Sequence, residues 1–125
     1  MAWRCLPIVF LMYLSIVKVL SQDNEVIQFG VITDIQYCDC DPSGDRLYRG
    51  VPEKLRDAID ILEAENIEYI LNFGDVINKH WSSFDTILPI LNNASFNVYY
   101  TLGNHDFYEL SQEQKDSLTT VLNMP

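Results

Sequence analysis

Apolar runs rich in β-branched residues alternate along the chain with amphipathic segments, and this alternation predicts the order βαβαβα. The predicted strands cover residues 26–33, 67–73 and 96–102. The first run is nearly continuous in apolar character, which is typical of a strand buried on both faces of a sheet. Parallel strands joined by right-handed crossover helices are therefore the expected α/β architecture.

The three intervening segments predict helices. Residues 52–65 place their apolar side chains on one stripe, and Pro52 suits the first turn. A second helix is expected to run to about residue 92, with Ser82 or Ser83 as its N-cap and a kink at Pro89. The pattern Ser111-x-x-Gln114 predicts a capping box at the start of a final helix.

A polar cluster follows each predicted strand. The three clusters are Asp34-x-Gln36, Gly74-Asp75-x-x-Asn78 and Gly103-Asn104-His105-Asp106. Because ligands of open α/β sheets bind beyond the carboxyl ends of the strands, we expect these clusters to converge into one pocket. The sequence thus predicts a single site assembled from segments that lie far apart along the chain.

The residue types in the clusters indicate metal-dependent hydrolysis. The carboxylate of Asp75 can bridge two cations, and Gln36 and Asn104 offer neutral oxygens beside that of Asp34. Such oxygen-rich sets favour Mn²⁺ or Mg²⁺ over the ions that prefer imidazole or thiolate. Two metals can stabilise both the attacking and the leaving oxygen of a phosphoryl transfer. His105 would then stabilise the transition state or donate a proton.

Each cluster residue also has a simpler explanation. An Asp or Asn after a strand is commonly a helix cap or a turn former. The three clusters together, each directly after a strand, favour the metal site because structural context gives short motifs their meaning. Asp106 is interpreted as a residue that orients the His105 ring or supports the turn, and His80 as a surface histidine.

Composition restricts the class of partner. Apolar residues make up 48% of the 125 residues, as in a globular domain. The formal net charge of −10 argues against nucleic acid or an anionic membrane surface. An acidic protein can still bind phosphate esters when bound cations dominate the local field. The expected partner is therefore a small phosphorylated or nucleotide-type substrate.

The N-terminus has the shape of a secretory signal peptide. A basic start precedes a short apolar run over residues 6–20, and residues 19–21 suit a cleavage site. Residues 1–21 are therefore predicted to be a signal peptide, and residues 22–125 to be the mature, secreted part. No stable membrane anchor is expected, and a signal anchor is the alternative interpretation of the apolar run. In this context Asn93-Ala94-Ser95 is a candidate N-glycosylation site.

Two cysteines remain after removal of such a peptide. Cys38 and Cys40 lie two positions apart, and a bridge between them would close a very small ring. Pairing with partners outside this chain is the favoured interpretation, with free thiols and metal binding as alternatives.

The three clusters resemble those of the calcineurin-like metallophosphoesterase family. Within it, Gln36 in place of a histidine, together with Arg49 and Phe107-Tyr108, is similar to the manganese-dependent ADP-ribose/CDP-alcohol diphosphatase group. The resemblance implies two divalent metals, with Mn²⁺ favoured and Mg²⁺, Zn²⁺ or Fe as alternatives. It also implies hydrolysis of phosphoester or diphosphate bonds in nucleoside diphosphate-linked substrates. Its fold would be the βαβαβ half of a calcineurin-like four-layer α/β/β/α sandwich.

The resemblance assigns a role to each site residue. Asp34 and Gln36 would ligate the first metal, and Asp75 would bridge both. Asn104 would ligate the second metal, and His105 would be the catalytic acid. Asn78 and Asp106 would support the site, and Asn78 in place of a metal-binding tyrosine disfavours an iron–tyrosinate centre.

One departure concerns histidine content. The family uses further histidine ligands after the third cluster, whereas this sequence holds 2 histidines, His80 and His105. The chain is therefore expected to be a truncated, N-terminal part of the domain, and we expect it not to hold two metals tightly or to be active alone. The alternative is a non-catalytic secreted remnant that binds metal weakly or binds a protein partner.

Overall fold

Three parallel strands form the centre of the computed structural model, which describes residues 26–125. They are β1 (Phe29–Ile32), β2 (Tyr69–Asn72) and β3 (Asn97–Tyr100), and β2 lies in the middle of the sheet. The register aligns Ile70 with Gly30 on one side and with Val98 on the other. The three strands predicted from the apolar runs are confirmed, each shorter than its run.

The helices also follow the predicted order. They are α1 (Val51–Ala64), α2 (Ser83–Asn92), α3 (Gln112–Asp116) and α4 (Leu118–Val121), with 3₁₀ turns at Tyr48–Gly50 and His105–Phe107. The final predicted helix is divided into two at Ser117, and α2 continues through Pro89. Ser82 occupies the N-cap position of α2, but its side chain makes no cap hydrogen bond because its backbone is already helical (φ −60°, ψ −13°).

Within residues 26–125, an apolar cluster joins the helices to one face of the sheet. Ile70 of β2 is fully buried in it, and Leu62 of α1 lies over Gly30, whose missing side chain leaves room for the helix. The other buried members come mainly from the helices and from the segments that follow the strands: Ile35, Leu55, Ile59, Val76, Ile77, Phe84, Ile87, Leu91, Leu110, Leu118 and Leu122. This packing fixes the strand ends that carry the polar clusters.

The opposite face of the sheet is open. Phe29, Val31 and Tyr99 are exposed by 49%, 51% and 55%, respectively. The expectation that the first strand is buried on both faces is therefore wrong for the part of the chain that the structure describes. The physical reason is that α1, α2 and α4 all pack into the one cluster on the other face.

The two cysteines bond to each other. Cys38 and Cys40 form a disulfide across a single intervening residue, with their Cα atoms 5.2 Å apart. That separation lies within the range that disulfides span, so the preferred pairing with partners outside the chain is wrong. Arg49 pairs with Asp39 and Asp41 at 2.5 and 2.9 Å, and these ion pairs connect the disulfide loop to the start of α1.

The predicted signal peptide, residues 1–21, lies outside the described residues. Over residues 26–125, no helix combines the length and the apolar character that crossing a membrane requires.

The capping box at α3 allows a direct test of local stability. The Ser111 hydroxyl accepts from Gln114 N at 3.3 Å, and the Gln114 side chain accepts from Ser111 N at 2.9 Å. We expect Ser111→Ala to lower the free energy of unfolding by about 1 kcal/mol, because a backbone donor loses its partner. Urea unfolding followed by circular dichroism measures this. Ser43→Ala, at an exposed position, is the control, and equal effects of the two substitutions would contradict the role of the cap.

Candidate metal centre

The first cluster lies directly after β1, in an uncommon backbone conformation. Asp34 and Gln36 have φ angles of 55° and 45°, in the left-handed region that side chains other than glycine rarely adopt. Asp34 accepts hydrogen bonds from Thr33 Oγ1 at 2.7 Å and from Gln36 Nε2 at 3.0 Å. The second of these bonds uses the amide nitrogen of Gln36, so the amide oxygen of Gln36 remains available to a cation.

The second cluster lies beside the first. Gly74 and Asp75 follow β2 with φ angles of 87° and 55°. Asp34 N donates to Gly74 O at 3.2 Å, and Gln36 N donates to Asp75 O at 2.8 Å. Backbone hydrogen bonds therefore hold the two clusters side by side beyond the ends of their strands.

The third cluster closes onto the second. A Cβ added to Gly74 would lie 2.8 Å from Gly103 Cα, and one added to Gly103 would lie 2.6 Å from Asp75 Cγ. Both glycines are thus required for the close approach of the two loops. His105 N donates to Asp75 Oδ1 at 2.8 Å. One carboxylate oxygen of Asp75 anchors the third loop, while no hydrogen bond within residues 26–125 engages the other oxygen.

Asp106 is the residue that ties these loops together. Its side chain is fully buried, and its two oxygens accept hydrogen bonds from the backbone N–H groups of Asp75, Val76, Ile77 and Gly103 at 2.7–3.2 Å. Burial raises the pKa of Asp106, and these four donors act in the opposite direction. Asp106 therefore supports the turn, which is one of the two roles predicted for it.

The imidazole of His105 is placed at the same edge of the sheet. The residue is half-buried, and its Nδ1 is enclosed without a hydrogen-bond partner among the described residues. Asn104, directly before it, is exposed. An enclosed polar nitrogen without a partner is costly unless a ligand satisfies it, and this supports a binding role for His105.

The donor set fits divalent cations that prefer oxygen. Asp34 and Asp75 supply carboxylates, Gln36 and Asn104 supply amide oxygens, and His105 supplies an imidazole. Within residues 26–125, no group of three or more His, Cys, Asp or Glu side chains could hold a metal ion by itself. Among these residues, the amide oxygens of Gln36 and Asn104 are the further groups that could complete a cation site at this edge.

The remaining predicted residues lie away from these side chains. Asn78 is buried, and its amide nitrogen is 3.7 Å from Cys38 Sγ, so its side chain supports the disulfide loop. His80 is exposed, as expected of a surface histidine. Asn93, the candidate glycosylation site, is exposed at the C-terminal end of α2.

Asn72 is a supporting residue that the sequence interpretation missed. This last residue of β2 is fully buried, and its Oδ1 accepts from Gly74 N at 2.9 Å. Its backbone oxygen accepts from Thr101 N at 2.8 Å. Asparagine is depleted in strands, so the presence of Asn72 at the end of an apolar run was the signal that could have indicated its supporting role.

Comparison with known proteins decides the family. The model of the calcineurin-like phosphoesterase family matches residues 27–125. The chain belongs to this family. It is 31% identical over 103 residues to the manganese-dependent ADP-ribose/CDP-alcohol diphosphatase of Danio rerio, covering 72% of this chain and 32% of that protein. It is 32% identical over 114 residues to the protein of the same name from Arabidopsis thaliana, covering 80% and 35%.

A solved structure agrees with the assignment. The crystal structure of a dimetal phosphatase from Danio rerio aligns with a TM-score of 0.67 at 31% identity, covering 80% of this chain and 35% of that one. The expected calcineurin-like α/β fold is therefore confirmed. The chain spans about a third of the length of the curated relatives that it matches.

Proposed function

We propose that this chain forms the part of a metal-dependent hydrolase that carries its first three metal-binding loops. The bonds cleaved would be phosphoester or diphosphate bonds in nucleoside diphosphate-linked compounds such as ADP-ribose or CDP-alcohols. The observation that carries the proposal is the convergence of three loops through direct hydrogen bonds, Gln36 N to Asp75 O at 2.8 Å and His105 N to Asp75 Oδ1 at 2.8 Å. The names of the relatives support the substrate class and manganese.

The site residues divide into ligands and a proton donor. Asp34 and Gln36 would hold one cation, Asn104 the other, and Asp75 both. When bound, two Mn²⁺ ions would supply the positive charge that stabilises the attacking and leaving oxygens of a phosphoryl transfer. An imidazole nitrogen of His105 would donate a proton to the leaving oxygen. Asp106 would hold the loops at the spacing that these roles require.

A hydrolysis assay tests the proposal. The 125-residue chain and the longest product that its transcript encodes are incubated with Mn²⁺ and, separately, with ADP-ribose, CDP-choline and an aryl phosphate. We expect Mn²⁺-dependent release of product from the two nucleotide substrates by the longer protein, and much weaker release by the 125-residue chain. Asp75→Asn should abolish release, since it removes charge from the ligand shared by both cations.

Two outcomes and one control variant decide between the alternatives. Absence of turnover in both proteins would contradict the hydrolase proposal and favour a non-catalytic remnant. Robust turnover by the 125-residue chain, lost in Asp75→Asn, would show that these loops suffice without further ligands. Asp57→Asn on the exposed surface of α1 removes the same charge and should leave turnover unchanged.

A further inference from the structure

A cavity of about 360 Å³ opens beside the first polar cluster. Asp34 and Gln36 form one side of it, and Arg46, Tyr48 and Lys54 line the rest, together with Ile35, Asp45, Leu47 and Val51. Its volume is within the range of about 300–1,000 Å³ of small-molecule sites. A substrate held by ligands of the first cluster would therefore have this space directly next to it.

Two of the side chains that line the cavity are cations. Neither Arg46 nor Lys54 forms an ion pair with a carboxylate among residues 26–125, whereas Arg49 pairs with Asp39 and Asp41. Unpaired cations that share one cavity are notable in a chain with a net charge of −10. The lining also holds two carboxylates, Asp45 and the candidate metal ligand Asp34, so its formal charges balance. Phosphate groups are frequent partners of Arg and Lys, and the two cations are the groups of this lining that suit a phosphate.

Local structure fixes the backbone positions from which both cations extend. The backbones of Ser43 and Arg46 exchange two hydrogen bonds of 3.2 Å, which close a tight turn. Lys54 lies in the first turn of α1, whose preceding 3₁₀ turn contains the buried Tyr48. A fixed backbone lowers the conformational cost of using these side chains as ligands, so the cavity is partly preorganised.

The larger cavity nearby carries more negative charge than positive charge. It measures about 570 Å³ and lies between α1 and α2. Its charged lining consists of one guanidinium, from Arg56, and three carboxylates, from Asp60, Glu63 and Asp85. Those carboxylates repel an anion. The smaller cavity is therefore the one of the two that suits a phosphate group.

We infer that Arg46 and Lys54 bind the phosphoryl group of a nucleoside diphosphate that is not attacked. This inference rests on the proposed function, because it assumes that the other phosphoryl group lies at the candidate metal centre. The inference assigns a diphosphate to the cavity, because a monophosphate bound at the candidate metal centre would not contact Arg46 or Lys54.

Binding of a non-hydrolysable analogue tests the inference. Isothermal titration calorimetry of the full chain with Mn²⁺ measures the affinity for α,β-methylene-ADP and, in parallel, for inorganic phosphate. We expect Arg46→Gln and Lys54→Gln each to weaken analogue binding about fivefold, as loss of one charge-assisted contact of about 1 kcal/mol predicts. The affinity for inorganic phosphate should change by less than about twofold. Phosphate bound at the metal centre would be attracted by Arg46 and Lys54 only at long range, and salt screens such attraction.

Matched variants separate a local contact from net charge. Arg56→Gln removes the same charge from the same helix, two residues beyond Lys54, at the other cavity. It should leave analogue binding unchanged, and Lys54→Arg should retain it. Equal losses in Lys54→Gln and Arg56→Gln, or no measurable analogue binding by the unsubstituted chain, would overturn the inference.

The titration also distinguishes this inference from the hydrolase proposal. A chain that binds the analogue through Arg46 and Lys54 but releases no product supports the inference and contradicts only the hydrolysis. A longer protein that hydrolyses ADP-ribose with unchanged analogue affinity in both glutamine variants contradicts the inference and leaves the hydrolysis intact.

Discussion

Replacing Asp106 by asparagine is expected to lower the free energy of unfolding by about 3 kcal/mol, because buried backbone donors lose a charged acceptor. One oxygen accepts from Asp75 N and Gly103 N, both at 2.9 Å, and the other from Val76 N and Ile77 N at 2.7 and 3.2 Å. An asparagine keeps only one oxygen, so its NH₂ group faces two N–H donors. Chemical denaturation followed by tryptophan fluorescence measures the loss.

Asp57→Asn is the control for this substitution. Asp57 is exposed on α1, and we expect its replacement to change stability by less than about 0.5 kcal/mol. The same pair of variants should differ in Mn²⁺ affinity, since Asp106 holds the loops that carry the ligands. A destabilisation in Asp106→Asn no larger than that in Asp57→Asn would show that the four hydrogen bonds do not stabilise the fold as described.

Replacing Gly103 by alanine is expected to weaken Mn²⁺ binding by about tenfold to a hundredfold, as loss of a ligand's supporting geometry does at metal sites. The added methyl group would lie 2.6 Å from Asp75 Cγ, so the carboxylate must move away from its bond to His105 N. A further loss of about 1–3 kcal/mol in stability follows from the overpacking. Calorimetric titration with Mn²⁺ and a thermal melt measure the two effects.

Gly50→Ala provides the matched glycine control. Apart from Gly50 itself and its two chain neighbours, no atom of residues 26–125 lies within 4 Å of a Cβ added to Gly50, and the φ of Gly50, −83°, suits alanine. This variant should keep the Mn²⁺ affinity and the stability of the unsubstituted chain. If Gly103→Ala behaves in the same way as Gly50→Ala, the carboxylate of Asp75 is not positioned by the close approach of the two loops.

The convergence of the three clusters could be predicted from the sequence because the signals for it are local. Each cluster directly follows an apolar run, and parallel strands bring such positions to one edge whatever the details of packing. That reasoning located Asp34, Asp75 and His105, which the structure places in adjoining loops. The capping box at Ser111 was readable for the same reason, since both partners lie within one turn.

Features that depend on distant contacts were not readable. A supporting role for Asp106 was predicted, but its four donors come from two loops, so these contacts appear only in the folded chain. The open face of the sheet escaped prediction because apolar residues alternate onto both faces, while the helices pack on one. Arg46 and Lys54 belong to different elements, so their shared cavity appears only in three dimensions.

Paramagnetic broadening by Mn²⁺ is the most direct test of the central claim that three loops form one metal site. In an assigned ¹H–¹⁵N spectrum of the chain, substoichiometric Mn²⁺ should broaden the amide signals of residues 34–36, 75–78 and 103–106 together. Asp75→Asn should abolish this effect in all three loops, because its carboxylate is shared. Broadening centred on the acidic surface of α1, or confined to one loop, would contradict the account.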